Sequence, residues 1–216
     1  MGKIKVFASL LSADFSCLEK EIKRLEEANV DGLHLDIMDG NYVPNISFGF
    51  PIIEKIRDKT KLPFDVHLMI SNPEKYLDKF IKSGADYLSF HVETSKNPKK
   101  LLQKIKSTGC KAGLVVNAKV NEKKVYPYLK YADFILVMSV NAGFSGQEFN
   151  AKALQKVKNI KKEIERQKLN VEIAIDGGIN EENAEGSKKA GATMLISGSA
   201  LFKAGDMKKT VEKMKT

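Results

Sequence analysis

The chain has 216 residues, 43% of them hydrophobic, which is enough for a sizeable core and excludes a disordered chain. Its formal net charge of +9 admits nucleic acid, a membrane surface or anionic small molecules as partners. The lysines, however, fall mostly in helix-like stretches such as "KALQKVKNIKKEIERQK", mixed there with glutamates, and no aromatic–basic interleaving of a single-strand binder occurs.

The opening, "MGKIKVFASLLSADF", runs straight into Asp14 with no small-residue cleavage site, so it reads as a first strand (Lys5–Leu10) and not as a signal peptide. Next, "FSCLEKEIKRLEEA" places Phe15, Leu18, Ile22 and Leu25 on one helical face. Further strands follow at Gly32–Met38, Phe64–Met69, Tyr87–Val92, Lys111–Asn117, Phe134–Val140, Val171–Asp176 and Thr193–Gly198, each succeeded by a helical pattern. After the sixth strand, "ALQKVKNIKKEI" sets Leu154, Val157, Ile160 and Ile164 on one face. Helices are expected to stop at Asn29, Gly84, Gly109 and Gly191, residues that tolerate a left-handed C-cap. This is a weak internal repeat of one strand–helix unit, with no linker or composition shift. Eight such units in this length predict an α/β fold, a single-domain (β/α)8 TIM barrel over residues 1–216; an open doubly wound sheet is the alternative. No run of about 18 apolar residues offers a membrane span. Cys17 and Cys110 lack metal or redox spacing and read as reduced residues of a cytoplasmic protein.

A barrel carries its active site at the C-terminal ends of its strands. His34 and Asp36 stand two apart near the end of the second strand and so face the same side. His67 lies near the end of the third, and Asp176 closes the seventh just before Gly177 and Gly178. Two imidazoles and two carboxylates make a four-ligand set for a divalent cation, which would also compensate their burial. Asp39, before Gly40, reads as a turn former, whereas His91 divides between a supporting role and packing. Glycine-rich segments follow the last three strands: "NAGFSGQ" (Asn141–Gln147), "DGGI" (Asp176–Ile179) and "SGSALF" (Ser197–Phe202). Their clustering predicts a cradle of backbone N–H groups for a phosphate. Met38, Met69 and Met138, at strand ends, read equally as core filling or as an apolar collar round a reacting carbon.

The segments "SLLSADF", "LHLDIMDGNYVPNISFG", "LPFDVHLMISNPEKY", "LVMSVNAGFSGQEF", "IAIDGGIN" and "ISGSALF" closely resemble the ribulose-phosphate 3-epimerase family of the pentose phosphate and Calvin pathways. They run in the family's order from Ser9 to Phe202. The resemblance implies a cytoplasmic, homo-oligomeric isomerase acting on a pentulose phosphate, with no nucleic acid or membrane partner. It implies His34, Asp36, His67 and Asp176 as ligands of one divalent cation (zinc, manganese, iron or cobalt). Asp36 and Asp176 would also be the acid/base pair. Substrate contacts would come from Ser9, His67, Gly143, Phe144, Ser145, Gly146, Gly177, Gly178, Gly198 and Ser199. Two departures stand out. Phe7-Ala8-Ser9 replaces the usual Ala-Pro-Ser, and Ala142 and Ser145 stand where the family has proline and glycine. A serine at 145 requires negative φ or accepts strain.

Inverting a carbon beside a ketone needs one proton removed and another returned to the opposite face, which two carboxyls can do through an enediolate. Their pKa values are then expected to be pushed apart; no organic cofactor is required. D-Allulose-6-phosphate 3-epimerase, with the same ligands, is the alternative reading, and a non-catalytic sugar-phosphate-binding barrel a further one. Sugar-phosphate decarboxylases of similar fold use an Asp-x-Lys-x-x-Asp pattern, and "HLDIMD" has no lysine.

Overall fold

The computed structural model describes residues 3–216, so Met1 and Gly2 of the opening segment lie outside the described residues. Eight strands close into a parallel barrel in chain order: β1 (Lys5–Ser9), β2 (Gly32–Met38), β3 (Phe64–Met69), β4 (Tyr87–His91), β5 (Lys111–Val116), β6 (Phe134–Met138), β7 (Glu172–Asp176) and β8 (Met194–Ser197). β8 returns to β1, pairing Phe7 with Ile196. The expected strands therefore all form, several of them a residue or two shorter at an end.

The helices are α1 (Leu18–Glu27), α2 (Phe50–Arg57), α3 (Pro73–Lys82), α4 (Pro98–Lys106), α5 (Ala153–Arg166), α6 (Glu181–Ala190), α7 (Ser199–Phe202) and α8 (Met207–Lys215). Asn29, Gly84, Gly109 and Gly191 all have positive φ, as the helix stops require. In α1, Ile22 and Leu25 are fully buried, and in α5 Val157 and Ile160 are. Two expectations fail. Phe15 sits ahead of α1 in a 3-10 turn, 48% exposed, with its ring edge-on to Phe48. After β5 the chain forms a 3-10 run (Glu122–Tyr131) in place of an α-helix, with Pro127 inside it. Proline has no N–H to donate, and its ring crowds the carbonyl four residues earlier, so an α-helix there is disfavoured.

Alternation along each strand sends one set of side chains to the helices and the other to the barrel axis. Outward residues such as Leu33, Leu35, Val66, Leu88, Leu114 and Val137 join the main core beneath the helices. The axis is filled unevenly. Phe7, Val115, Phe134, Leu136, Met138, Ala174, Met194 and Ile196 form an apolar plug from β1 and β5–β8. Gly32 makes room for it, because a Cβ there would come within 2.2 Å of the Phe7 ring. On β2–β4 the axis instead carries a set of buried polar side chains, His34, Asp36, Asp65, His67, Ser89 and His91. At the N-terminal end of the barrel Lys5 Nζ pairs with Glu172 Oε2 at 2.7 Å.

Candidate active site and metal centre

Parallel register builds the centre from short sequence patterns. Asp36 lies opposite His67 across β2 and β3, and His34 opposite Asp65. Asp176 ends β7, paired with Met138 on one side and Ile196 on the other. The strand ends bring His34, Asp36, His67 and Asp176 together so that one ligand atom from each lies within 4.8 Å of the others. His34 and His67 are fully buried and Asp36 nearly so, while Asp176 is partly exposed to the pocket.

The hydrogen bonds fix the orientation of each group. Ser9 Oγ donates to Asp36 Oδ2 at 2.7 Å. Asp36 Oδ1 lies 3.1 Å from His67 Nδ1 and 3.3 Å from His34 Nε2. His34 Nδ1 is 2.7 Å from Asp65 Oδ2. His67 Nε2 is 2.9 Å from His91 Nε2, with the two rings stacked. His34 Nε2 is buried and has no hydrogen-bond partner. A buried nitrogen facing two carboxylates and an imidazole, without a partner, suits a divalent cation. The donor set of two nitrogens and two carboxylates fits the same group.

The charges respond to these surroundings. Burial works to raise the Asp36 pKa, but the His34 charge and the hydrogen bond from His67 outweigh it and hold Asp36 far below the usual range. Asp176 moves the other way: burial, then the nearby Asp36 charge, pushes it up to about 6. Burial works to lower His34, yet Asp36 and Asp65 together raise it well above the ordinary histidine value. His91 is driven well below that value by burial and by its neighbour His67. His91 therefore supports His67 from behind and does not open onto the pocket.

Above the four residues lies a pocket lined by Ser9, Asp36, Asp176, the 140–147 loop, Gly177, Gly178, Gly198 and Ser199. Met38, Met69 and Met138 line it too, so they face the pocket while remaining nearly fully buried. Gly177 and Gly178 have φ of +108° and +67°, and a Cβ at Gly178 would meet the Gln147 O and Phe149 N atoms at 2.6 Å. Both demands require glycine. In the loop after β6, Gly143 and Gly146 take the positive φ values; Ser145 is not among the residues with positive φ, so it escapes the strain a serine there risked. Phe144 is 55% exposed at the loop tip. Asp39 forms the turn expected of it, its Oδ1 accepting from the Asn41 and Tyr42 N–H groups, and its Oδ2 also accepts from Ser71. Those bonds hold its pKa near about 2 against the opposing effect of burial.

Several residues at this end carry no signal that sequence reasoning picks out. Asp65 pairs with His34 from within the quoted "DVHLM" segment. Asn45 Nδ2 donates to Gly143 O at 2.8 Å, joining the loops after β2 and β6. Ser12 Oγ lies 2.6 Å from Ser145 Oγ, joining the loops after β1 and β6. Ser47 Oγ donates to Asp36 O and accepts from Met38 N, which fixes the end of β2. Asp65 alone has a faint one: it stands two before His67, as His34 stands two before Asp36.

The sequence profile of the Ribulose-phosphate 3 epimerase family matches residues 5–202. The chain belongs to that family. It is accordingly an isomerase of the epimerase kind. It is 42% identical over 213 residues to the ribulose-phosphate 3-epimerase of Bacillus subtilis (strain 168), covering 98% of each chain. It is 43% identical over 203 residues to that of Synechocystis sp., covering 93% of this chain and 88% of the relative. In three dimensions it is similar to a mutant tryptophan synthase alpha-subunit from the hyperthermophile Pyrococcus furiosus, with a TM-score of 0.70, 16% identity and 99% of both chains covered. That likeness speaks for the barrel alone. No helix among the described residues is long and apolar enough to cross a membrane.

Proposed function

We propose that this chain, acting as one catalytic domain over residues 1–216, interconverts D-ribulose 5-phosphate and D-xylulose 5-phosphate by proton exchange at C3. The supporting observation is the pair Asp36 and Asp176, brought together from β2 and β7 and driven toward opposite protonation states. The names of the relatives support the choice of substrate.

Asp36, kept ionised by its imidazole neighbours, removes the C3 proton of one epimer, and Ser9 holds the carboxylate in place. Asp176, whose higher pKa lets it carry a proton, delivers its own proton to the opposite face of the enediolate. In the reverse direction the roles exchange. His34, Asp36, His67 and Asp176 would hold a divalent cation, which supplies Lewis-acid stabilisation of the charge developing on the substrate oxygens. His67 is fully buried and absent from the pocket lining, so its proposed part is that of a cation ligand. Backbone N–H groups of Gly143, Phe144, Ser145 and Gly146, of Gly177 and Gly178, and of Gly198 and Ser199 bind the phosphate, away from the reacting carbon. That grip supplies binding energy for orientation. The collar of Met38, Met69 and Met138 keeps water from the intermediate.

Turnover of ribulose 5-phosphate and allulose 6-phosphate, compared on the same cation-replete protein, tests this reading. Faster turnover of ribulose 5-phosphate is expected. Preference for the hexulose phosphate would transfer the chain to the allulose reaction, and turnover of neither would leave a sugar-phosphate binder.

A further inference from the structure

We infer that Asp65 is a positioning residue for the cation site: it pins the Nδ1–H of His34 and so turns the Nε2 lone pair toward Asp36, His67 and Asp176. The inference rests on the cation reading above and adds a residue that touches neither cation nor substrate. Asp65 is fully buried and lies directly opposite His34 in the β2–β3 register. It is absent from the pocket lining and from the four-residue ligand set. Among the described residues its one side-chain partner is His34, at 2.7 Å, and its second oxygen, Oδ1, has none.

The chemistry of the contact decides the tautomer. An ionised carboxylate can only accept, so the atom facing it must carry hydrogen. When the cation is bound the His34 imidazole is neutral and has one N–H, and with that proton held at Nδ1 the lone pair falls on Nε2. Nε2 is the atom found buried without a partner, 3.3 Å from Asp36 Oδ1. The two observations come from opposite ends of the ring and agree. The strands carry complementary patterns that produce this. β2 reads His-Leu-Asp and β3 reads Asp-Val-His, so in register each histidine receives a carboxylate neighbour. The upper pair, Asp36 with His67, belongs wholly to the ligand set. The lower pair gives only His34 to it, leaving Asp65 one layer further from the mouth. A carboxylate bonded to the far nitrogen makes an imidazole a better electron donor and fixes the plane of its ring.

The test uses Co2+ as the probe on the metal-free full chain. Wild type, Asp65→Ala and Asp65→Asn are titrated by calorimetry and by visible absorbance, and the urea midpoint of each metal-free protein is measured beside them. Asp65→Ala should bind Co2+ about 10- to 100-fold more weakly. Asp65→Asn should fall between, because its amide oxygen still accepts from Nδ1–H without the charge, and it keeps the side-chain shape should the alanine variant fail to fold. In the zinc-loaded wild type, nitrogen NMR of the His34 ring should show the proton on Nδ1. Equal Co2+ affinity in the wild type and the asparagine and alanine variants, or a ring proton on Nε2, overturns the role of Asp65 while leaving the cation site standing. A wild type that binds no Co2+ overturns both.

Discussion

Replacing Asp176 with asparagine should make the metal-free protein more stable while destroying its turnover. The Asp176 pKa rises from 3.8 to about 6 in the fold, equivalent to about 3 kcal/mol of preference for the neutral form. The sign follows from linkage. Below the unfolded value both states are protonated and ionisation carries no cost. As pH climbs from the unfolded value through about 6, the folded protein keeps its proton while the unfolded chain releases it, so stability falls. Above that window the fold bears the whole cost of a carboxylate placed beside Asp36. Asparagine cannot ionise and escapes it. Asp36, depressed and therefore of opposite sign, is present in both proteins and cancels to first order. Metal-free Asp176→Asn should thus exceed metal-free wild type by up to about 3 kcal/mol at pH 8 and by about 1 kcal/mol at pH 4.5; partial exposure of Asp176 makes the larger figure a ceiling. Urea unfolding followed by circular dichroism reads the difference. Turnover should fall by about 10²- to 10⁴-fold, with affinity for a phosphate ligand kept. Coincident unfolding curves at pH 8 would refute the electrostatic reasoning, and near-normal turnover would remove Asp176 from the acid/base pair.

Three further outcomes are expected. Chelation should abolish activity and leave the far-ultraviolet circular dichroism of the barrel largely unchanged, because the ligands occupy one mouth of a core held elsewhere; full activity in demonstrably metal-free protein would end the cation's role. Gly178→Ala should destabilise by about 1–3 kcal/mol and raise KM, since its Cβ would press on the Gln147 and Phe149 backbone at positive φ; an unchanged urea midpoint would contradict that. Turnover in heavy water should place solvent deuterium at C3 of the product, and substantial transfer of the substrate's own proton to product in a single turnover, read by mass spectrometry, would point to one base in place of two.

How much of the molecule is legible in its sequence depends on whether local chemistry or register carries the information. Strands of a closed parallel barrel are covered on both sides, so they read as apolar runs, and a histidine or carboxylate inside such a run is conspicuous. His34, Asp36, His67 and Asp176 stand out for that reason, and the structure brings them together. Asp65 sits in an equally apolar strand, but its partner is named only by the β2–β3 register, which is a tertiary fact. The bond between Ser12 and Ser145 spans 133 positions of sequence and involves residue types common in loops, so no local pattern announces it. The 3-10 run after β5 departs from the expected helix because Pro127 outweighs the amphipathic spacing around it. Phe15 departs because helical periodicity, extended one turn too far, takes in Phe15–Cys17, which form a separate 3-10 turn capped by the Asp14 side chain.

The uneven filling of the barrel axis explains why two chemically identical carboxyls acquire pKa shifts of opposite sign. Asp36 rises from the polar sector, where β2 and β3 surround it with imidazoles and Ser9 donates to it. Every one of those contacts favours the ionised form. Asp176 rises from the apolar sector, with Met138 and Ile196 as its strand neighbours and Ala174 two positions below it. There it meets desolvation first and the Asp36 charge second, and both favour the protonated form. The opposite shifts of the two carboxyls therefore follow from the different sectors in which their strands place them.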